Sequence, residues 1–170
     1  MKWSVLTLLA ADEQGIVAAV SKVLFEHDCQ LAEASMMRLG ANFAIMLRVQ
    51  HADDCDLSSV LSPLSKKMNG HIHIDADVDE LTRSAEPDVS ITVYGADRAG
   101  IVAQTTQALA AAGLNIIDLE TAVAGSEAEP IYIMNLEGCA TQGIDVLQQA
   151  VDTLATELDI SLSEIETLRA

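Results

Sequence analysis

Apolar positions along this chain keep two rhythms, a period of two and a period near three and a half, and the chain switches between them. Residues 3–10 are rich in Leu, Val and Thr, read as a strand, and stop at "DEQG". From Gly15 the spacing changes: Ile16, Val20, Val23, Leu24 and His27 fall on one helical face, which "HDCQ" closes. Residues 30–40 and 42–51 then predict two strands joined around Gly40 and Asn42, a hairpin. Leu57, Val60, Leu61, Leu64 and Met68 return to helical spacing, with Pro63 expected to kink or split that helix. "NG" ends it, and "HIHIDADV" alternates as a strand.

The same succession follows again. "VSITVYG" reads as a strand, and Ile101, Val102, Thr105, Leu109 and Ala112 stripe a helix that "AAGLN" stops with a glycine at its C-terminal cap. Strands over 115–125 and 131–137 flank the acidic loop "GSEAEP". Ile144, Leu147, Val151, Leu154 and Leu158 mark a second helix, and "ISLSEIE" a last strand. Met36, Met37, Met46 and Met134 fall in these strands and read as core filler.

The repetition is literal in places. Ala11, Asp12, Gly15, Ile16, Val17 and Ala18 recur 85 positions later as Ala96, Asp97, Gly100, Ile101, Val102 and Ala103. Thr7, Leu24 and Gly40 match Thr92, Leu109 and Gly125 in the same register. A period of half the chain, repeated once, implies a tandem duplication into two domains, not a solenoid. Each copy reads β-α-β-β-α-β, with two amphipathic helices burying one face of an antiparallel sheet. The expected class is α+β: two ferredoxin-like βαββαβ domains over 1–79 and 88–170, with a polar, proline-bearing linker at 80–87. The second sheet face, or the sheet edge, remains available for pairing.

Half the residues are apolar, which argues against disorder despite a formal charge of −17. The charge is uneven. Residues 1–85 hold 7 Lys/Arg against 12 Asp/Glu, a net −5; residues 86–170 hold 2 against 14, a net −12. Arg98 and Arg169 are the only formal cations of the second half. Phosphate backbones and anionic membranes both demand clustered positive charge, so neither nucleic acid nor a membrane surface is an expected partner. An aromatic content of 3% also leaves little for base stacking. Cys29, Cys55 and Cys139 are scattered in no metal-ligand spacing, as expected of reduced thiols in a cytoplasm. The opening "MKWSVLTLLAAD" resembles an export signal, but its counterpart "DVSITVYGAD" lies mid-chain, so it reads as a strand. The expectation is a soluble cytoplasmic protein.

The repeated turn joins a strand to a helix. Its glycine permits a tight path, and the first amides of the following helix lack intrahelical partners. Such amides, at the positive end of the helix dipole, suit a carboxylate, and an aspartate just before them suits an ammonium. Together they would hold an amino-acid zwitterion. The plainer alternative is that Asp12 and Asp97 cap their helices and the glycines only make the turn.

"GADRAGIVA" followed by "LAAAGLNIIDLET" resembles an ACT domain, a ferredoxin-like module that senses small molecules. Over both halves the chain resembles the tandem ACT regulatory proteins, the family typified by glycine cleavage system transcriptional repressors. The likeness is clearest in Asp97-Arg98-Ala99-Gly100-Ile101-Val102 and Gly113-Leu114-Asn115-Ile116. In the first copy Glu13 replaces the arginine, and Asp28-Cys29-Gln30-Leu31 replaces the second stretch. Gln14 and Ala99 stand where the family often has proline. The resemblance implies an effector bound by the strand-to-helix turn and the start of the second strand, across an interface between two ACT domains. The matching residues are Asp97, Arg98, Ala99, Gly100, Ile101 and Asn115, and in the first copy Asp12, Glu13, Gln14, Gly15, Ile16 and Gln30. It further implies an amino-acid effector and a regulatory partner protein (a DNA-binding activator); the exposed sheet edges add the expectation of a homo-oligomer, and no cofactor is expected.

Two other chemistries compete. His71, His73, Asp75 and Asp77 alternate along one predicted strand, and His-X-His is usable metal-ligand spacing. The matching strand of the second copy keeps the alternation with Ser161 and Ser163, so a shared polar face is the better reading. Cys29 would need a base, and His27 is placed on the core side of its helix. No recognised catalytic motif is present, and the chain reads as non-enzymatic. A ligand-free interaction module remains the alternative to sensing.

Overall fold

Each half of the chain builds one sheet because its β-branched and leucine-rich strands alternate between a helix-covered face and an open one. The computed structural model describes residues 1–76, 78, 86–96, 99–126 and 129–165. The chain divides into two compact units, Met1–Thr82 and Arg83–Ala170. Most of the expected linker at 80–87 lies outside the described residues.

The first unit runs β1 (Lys2–Ala11), α1 (Ile16–Glu26), β2 (Gln30–Leu39), β3 (Asn42–His51), α2 (Leu57–Lys67) and β4 (His71–Ala76). Its sheet has the order β2-β3-β1-β4, with every neighbour antiparallel. Leu6, Leu8, Phe43, Ile45, Leu47 and Val49 face Ile16, Val20 and Leu24 of α1 and Leu57, Leu61 and Leu64 of α2 in one core. Each such side chain removed from water contributes about 1.5–3 kcal/mol. Pro63 does not split α2. It sits on the exposed side of a continuous helix, where the carbonyl freed one turn earlier can tilt to solvent. Asp56 caps that helix, accepting from the Ser58 and Ser59 amides.

The second unit repeats the plan with β5 (Val89–Ala96), α3 (Ile101–Ala111), β6 (Leu114–Gly125), β7 (Pro130–Ala140), α4 (Ile144–Leu154) and β8 (Asp159–Glu164), in the order β6-β7-β5-β8. Val89, Ile91, Val93, Leu109, Met134, Leu136, Leu147 and Val151 form its core. Leu158 packs against this core from the turn after α4, beyond the helix expected to carry it. The two copies stay 85 positions apart only as far as the hairpin. Leu6 pairs with Leu47, whereas the matching Ile91 pairs with Leu136, 89 positions on, because the second hairpin is longer.

Two expectations about side chains fail. His27 is the exposed C-terminal cap residue of α1, its Nδ1 donating to the Val23 carbonyl, and is not on the core face. Met36, Met37 and Met46 are more than half exposed: β2 is an edge strand, and Met46 lies on the open face of β3. Met134 alone of the four fills a core.

Candidate functional site

The first helix of each unit opens on a glycine in the same backbone conformation. Gly15 has φ 91° and ψ 8°, and Gly100 has φ 90° and ψ −5°. This left-handed region costs an L-residue about 1–2 kcal/mol, which explains glycine at both places. In each case the first helical bond runs from the amide four residues on to the glycine carbonyl, at 2.9 Å. Among the described residues no side chain caps either helix, and the leading amides point outward from an uncapped positive end. Ile16 and Ile101 anchor the turns by burying their side chains, while Glu13, Gln14, Gly15, Ala99 and Gly100 are exposed. Asp97 and Arg98 lie outside the described residues.

Asp12 does not cap α1. Its carboxylate meets the Arg38 guanidinium of β2 at 2.6 Å, and its amide donates to the Ala41 carbonyl at 2.9 Å. The first turn is therefore tied to the β2–β3 hairpin. At the position 85 residues after Arg38 the second copy has Val123, which can form no such pair.

Gln30 and Asn115 are not beside their own turns. Ala11, at the turn end of β1, pairs with Asn42; Trp3, at the other end, pairs with Gln50, which is also the partner of Gln30. Eight residues of strand separate these ends, roughly 26 Å at 3.3 Å per residue. The second unit has the same layout, with Ala96 opposite Ile131 and Asn115 opposite Cys139 far down β7. A single unit brings its turn residues together and leaves the amide residue at the opposite end of the sheet.

Near the second turn there is an open depression of about 530 Å³, lined by Tyr94, Gly95, Ala96, Ser126, Glu129, Ile131 and Asp159 among others. Among the described residues its charged side chains are acidic, Glu129 and Asp159, a lining that favours a cationic group. This feature was not apparent from the sequence, because β8 and the hairpin come together there only through the fold.

The histidine strand is an exposed polar face. β4 and β8 share one burial pattern, with Ile72 and Ile74 of the first and Ile160 and Leu162 of the second packed against their cores. His73 Nε2 faces Asp75 Oδ1 at 3.1 Å, and Asp77 lies outside the described residues. Among the described residues no three His, Cys, Asp or Glu side chains are grouped to hold a metal. No described helix is long and apolar enough to cross a membrane.

A serine–histidine pair also emerges. Ser4 Oγ lies 2.9 Å from His51 Nε2, and His51 Nδ1 donates to the Ala52 carbonyl. Both side chains are buried, so a substrate cannot reach the hydroxyl, and the pair serves to satisfy two polar groups in the core.

The family profile described as ACT domain matches residues 4–74 and 88–164. The chain belongs to the ACT-domain family. Its two units are tandem ACT domains of the ferredoxin-like kind, and the repeated turn is the strand-to-helix turn of each. None of the curated proteins matches the chain. Among solved structures it is similar to a protein of unknown function from Galdieria sulphuraria, with 23% identity, a TM-score of 0.77, and coverage of 97% of this chain and 99% of that one. It is also similar to a candidate glycine cleavage system transcriptional repressor, with 16% identity, a TM-score of 0.73 and coverage of 98% of both chains. At these identities the likeness concerns the tandem fold.

Proposed function

We propose that this tandem ACT protein is a non-enzymatic regulator that senses an amino acid or a related zwitterionic metabolite and passes the signal to a partner protein. The observation that carries the reading is the pair of uncapped helices opened by left-handed Gly15 and Gly100. Their amides suit the effector carboxylate. In the second repeat Asp97 is assigned to the ammonium, with Arg98, Ala99, Gly100 and Ile101 forming the rest of the turn. Asn115 offers a donor and an acceptor to the effector from another ACT unit, since its own turn lies at the far end of its sheet. Asp12, Glu13, Gln14, Gly15, Ile16 and Gln30 are the corresponding residues of a first site, weakened because Arg38 already occupies Asp12. The candidate repressor with the same tandem fold supports transcriptional control of glycine cleavage as the setting, exerted through a DNA-binding partner in the cytoplasm.

The switch works by population shift: a ligand that binds better to one arrangement of ACT units favours that arrangement. Micromolar to millimolar affinity corresponds to about 4–8 kcal/mol, of which only the difference between arrangements drives the change. Thermal unfolding with each amino acid at millimolar concentration tests the reading. Ligand at a hundred times its Kd adds about 2.7 kcal/mol, enough to raise Tm by several degrees. The rise is expected with one or a few amino acids and is lost in Asp97→Ala. A flat response to all of them sinks the proposal.

A second reading applies to the first unit. Leu9, Met37, Leu39 and Met46 are exposed on the open face of its sheet, around the β2–β3 hairpin. An apolar face of this kind, with Asp12 already paired, fits an interaction module that needs no ligand.

A further inference from the structure

Two thiols that are 26 residues apart in sequence meet at one end of the first sheet. Cys29 follows α1 and immediately precedes Gln30, the first residue of β2; Cys55 lies in the loop between β3 and α2. Their sulfurs are 3.9 Å apart, both are free, and Cys29 is 8% exposed while Cys55 is more open. Cys139, in the second unit, directs its thiol to the Glu86 carbonyl at 3.1 Å.

We propose that Cys29 and Cys55 are a modification site, a dithiol that closes to an intrachain disulfide when a low-molecular-weight disulfide of the glutathione type is supplied. Bond formation requires the sulfurs to close to about 2.0 Å. Both cysteines lie outside helix and strand, Cys29 in the short turn between α1 and β2 and Cys55 in the longer loop between β3 and α2, so the Cys55 side has the more slack to yield. Reaction starts at Cys55. Burial first, then Cys55 and Asp28, pushes the Cys29 thiol up to about 11, so Cys29 is protonated near neutral pH and shielded from large reagents.

In the first step the Cys55 thiolate attacks one sulfur of the reagent, forming a mixed disulfide and releasing one thiolate, which takes up a proton. Cys29 then loses its proton to the solvent, attacks the Cys55 sulfur and expels the second thiolate. Two S–H bonds are lost, one S–S bond forms, and the reagent is reduced to two thiols. Capping Cys55 in the first step also removes its charge and hydrogen bond from Cys29, two of the influences that hold the Cys29 proton on. The product ties the start of β2 to the β3–α2 loop and fixes the backbone on which Gln30 sits. Its bearing on ligand binding rests on the function proposed above; the chemistry of the pair does not.

The full-length reduced protein is treated with oxidised glutathione, the remaining thiols are alkylated, and peptides are mapped without reduction. The expected product is a Cys29–Cys55 linked peptide, with Cys139 alkylated, formed equally well in Cys139→Ser. In Cys29→Ser the reaction is expected to stop with glutathione held on Cys55; in Cys55→Ser, Cys29 is expected to remain unmodified until the protein is unfolded. Persistent glutathione on Cys55 of the unmutated chain, with Cys29 still free to alkylate, overturns the proposal. So does an equal rate of glutathione addition at Cys29 in Cys55→Ser. Amino-acid titration of the reduced protein tests the sensing function separately, so failure of one is not failure of the other.

Discussion

Arg38 reaches from β2 to the first turn and holds Asp12 at 2.6 Å, so the group suited to a ligand ammonium already has a cation. The pair is partly exposed, with Arg38 63% accessible, and exposed pairs contribute only about 0–1 kcal/mol. A ligand ammonium placed there competes with a tethered guanidinium. Arg38→Ala is therefore expected to leave stability nearly unchanged and to add a second class of amino-acid site in calorimetric titration. Unchanged stoichiometry, with ligand bound at the second repeat, would remove Arg38 from the account. The sequence did not disclose this pair, because Asp12 and Arg38 meet only through the hairpin register. It did disclose the glycines: Gly113, where a Cβ would lie 2.7 Å from the Gln142 side chain and φ is +86°, ends α3 as the pattern requires. The matching position of the first copy carries Asp28 at φ +53°, a residue type that tolerates the left-handed region, and there the motif is blurred although the backbone is kept.

Helices and strands were legible because each hides one periodic stripe, and the errors fell where a stripe runs past its element. His27 and Leu158 continue helical spacing by one more step, but the chain has already turned. Pro63 misled in the other direction: a local breaker is overruled by three buried leucines and a strong cap. That cap gives α2 a pH dependence. The Ser59 hydroxyl, followed by the Ser59 and Ser58 amides, lowers the Asp56 pKa below the ordinary aspartate value. A depressed carboxylate adds stability that is fully present above its unfolded pKa and is lost as pH falls through the folded one, here below about pH 4. Asp53 adds to the same acid sensitivity, its pKa lowered first by a hydrogen bond from the N-terminal ammonium. Asp56→Ala is expected to lower Tm at neutral pH. Asp56→Asn keeps an oxygen for the two amides but loses the charge and the second acceptor that takes the Ser59 hydroxyl, and it cannot titrate, so its Tm at neutral pH should lie between those of Asp56→Ala and the parent and fall less between pH 5 and pH 3. Parallel acid profiles for Asn and Asp would show that the cap is not the titrating element.

At the scale of the whole molecule, duplication yields two sheets with the same order but different open faces. The first presents Leu9, Met37 and Met46; the second presents Asp118, Glu120, Glu137 and Asp159 across neighbouring strands. Sequence periodicity could say that an open face exists, whereas only the strand register says which residues share it. The same register separates each turn from the amide residue of its own unit, so the proposed effector site needs elements from two units. Whether those units belong to one chain or two has a direct test. Asp97→Ala lacks the turn carboxylate and Asn115→Ala lacks the distal amide, and each alone is expected to abolish the ligand-induced rise in Tm. If the site forms between copies, unfolding and refolding the two variants together creates mixed assemblies in which one interface joins an intact turn to an intact Asn115. Binding then returns in the mixture, at a fraction of the parent stoichiometry. If the second turn is instead completed within its own chain, the amide that reaches it is Gln30 of the first unit, and Asn115→Ala alone keeps binding at that turn without any mixing. The two samples thus separate a sensor assembled by oligomerisation from one complete within a single chain. Full binding by Asn115→Ala that is also kept in Gln30→Ala would take the second strand out of the site.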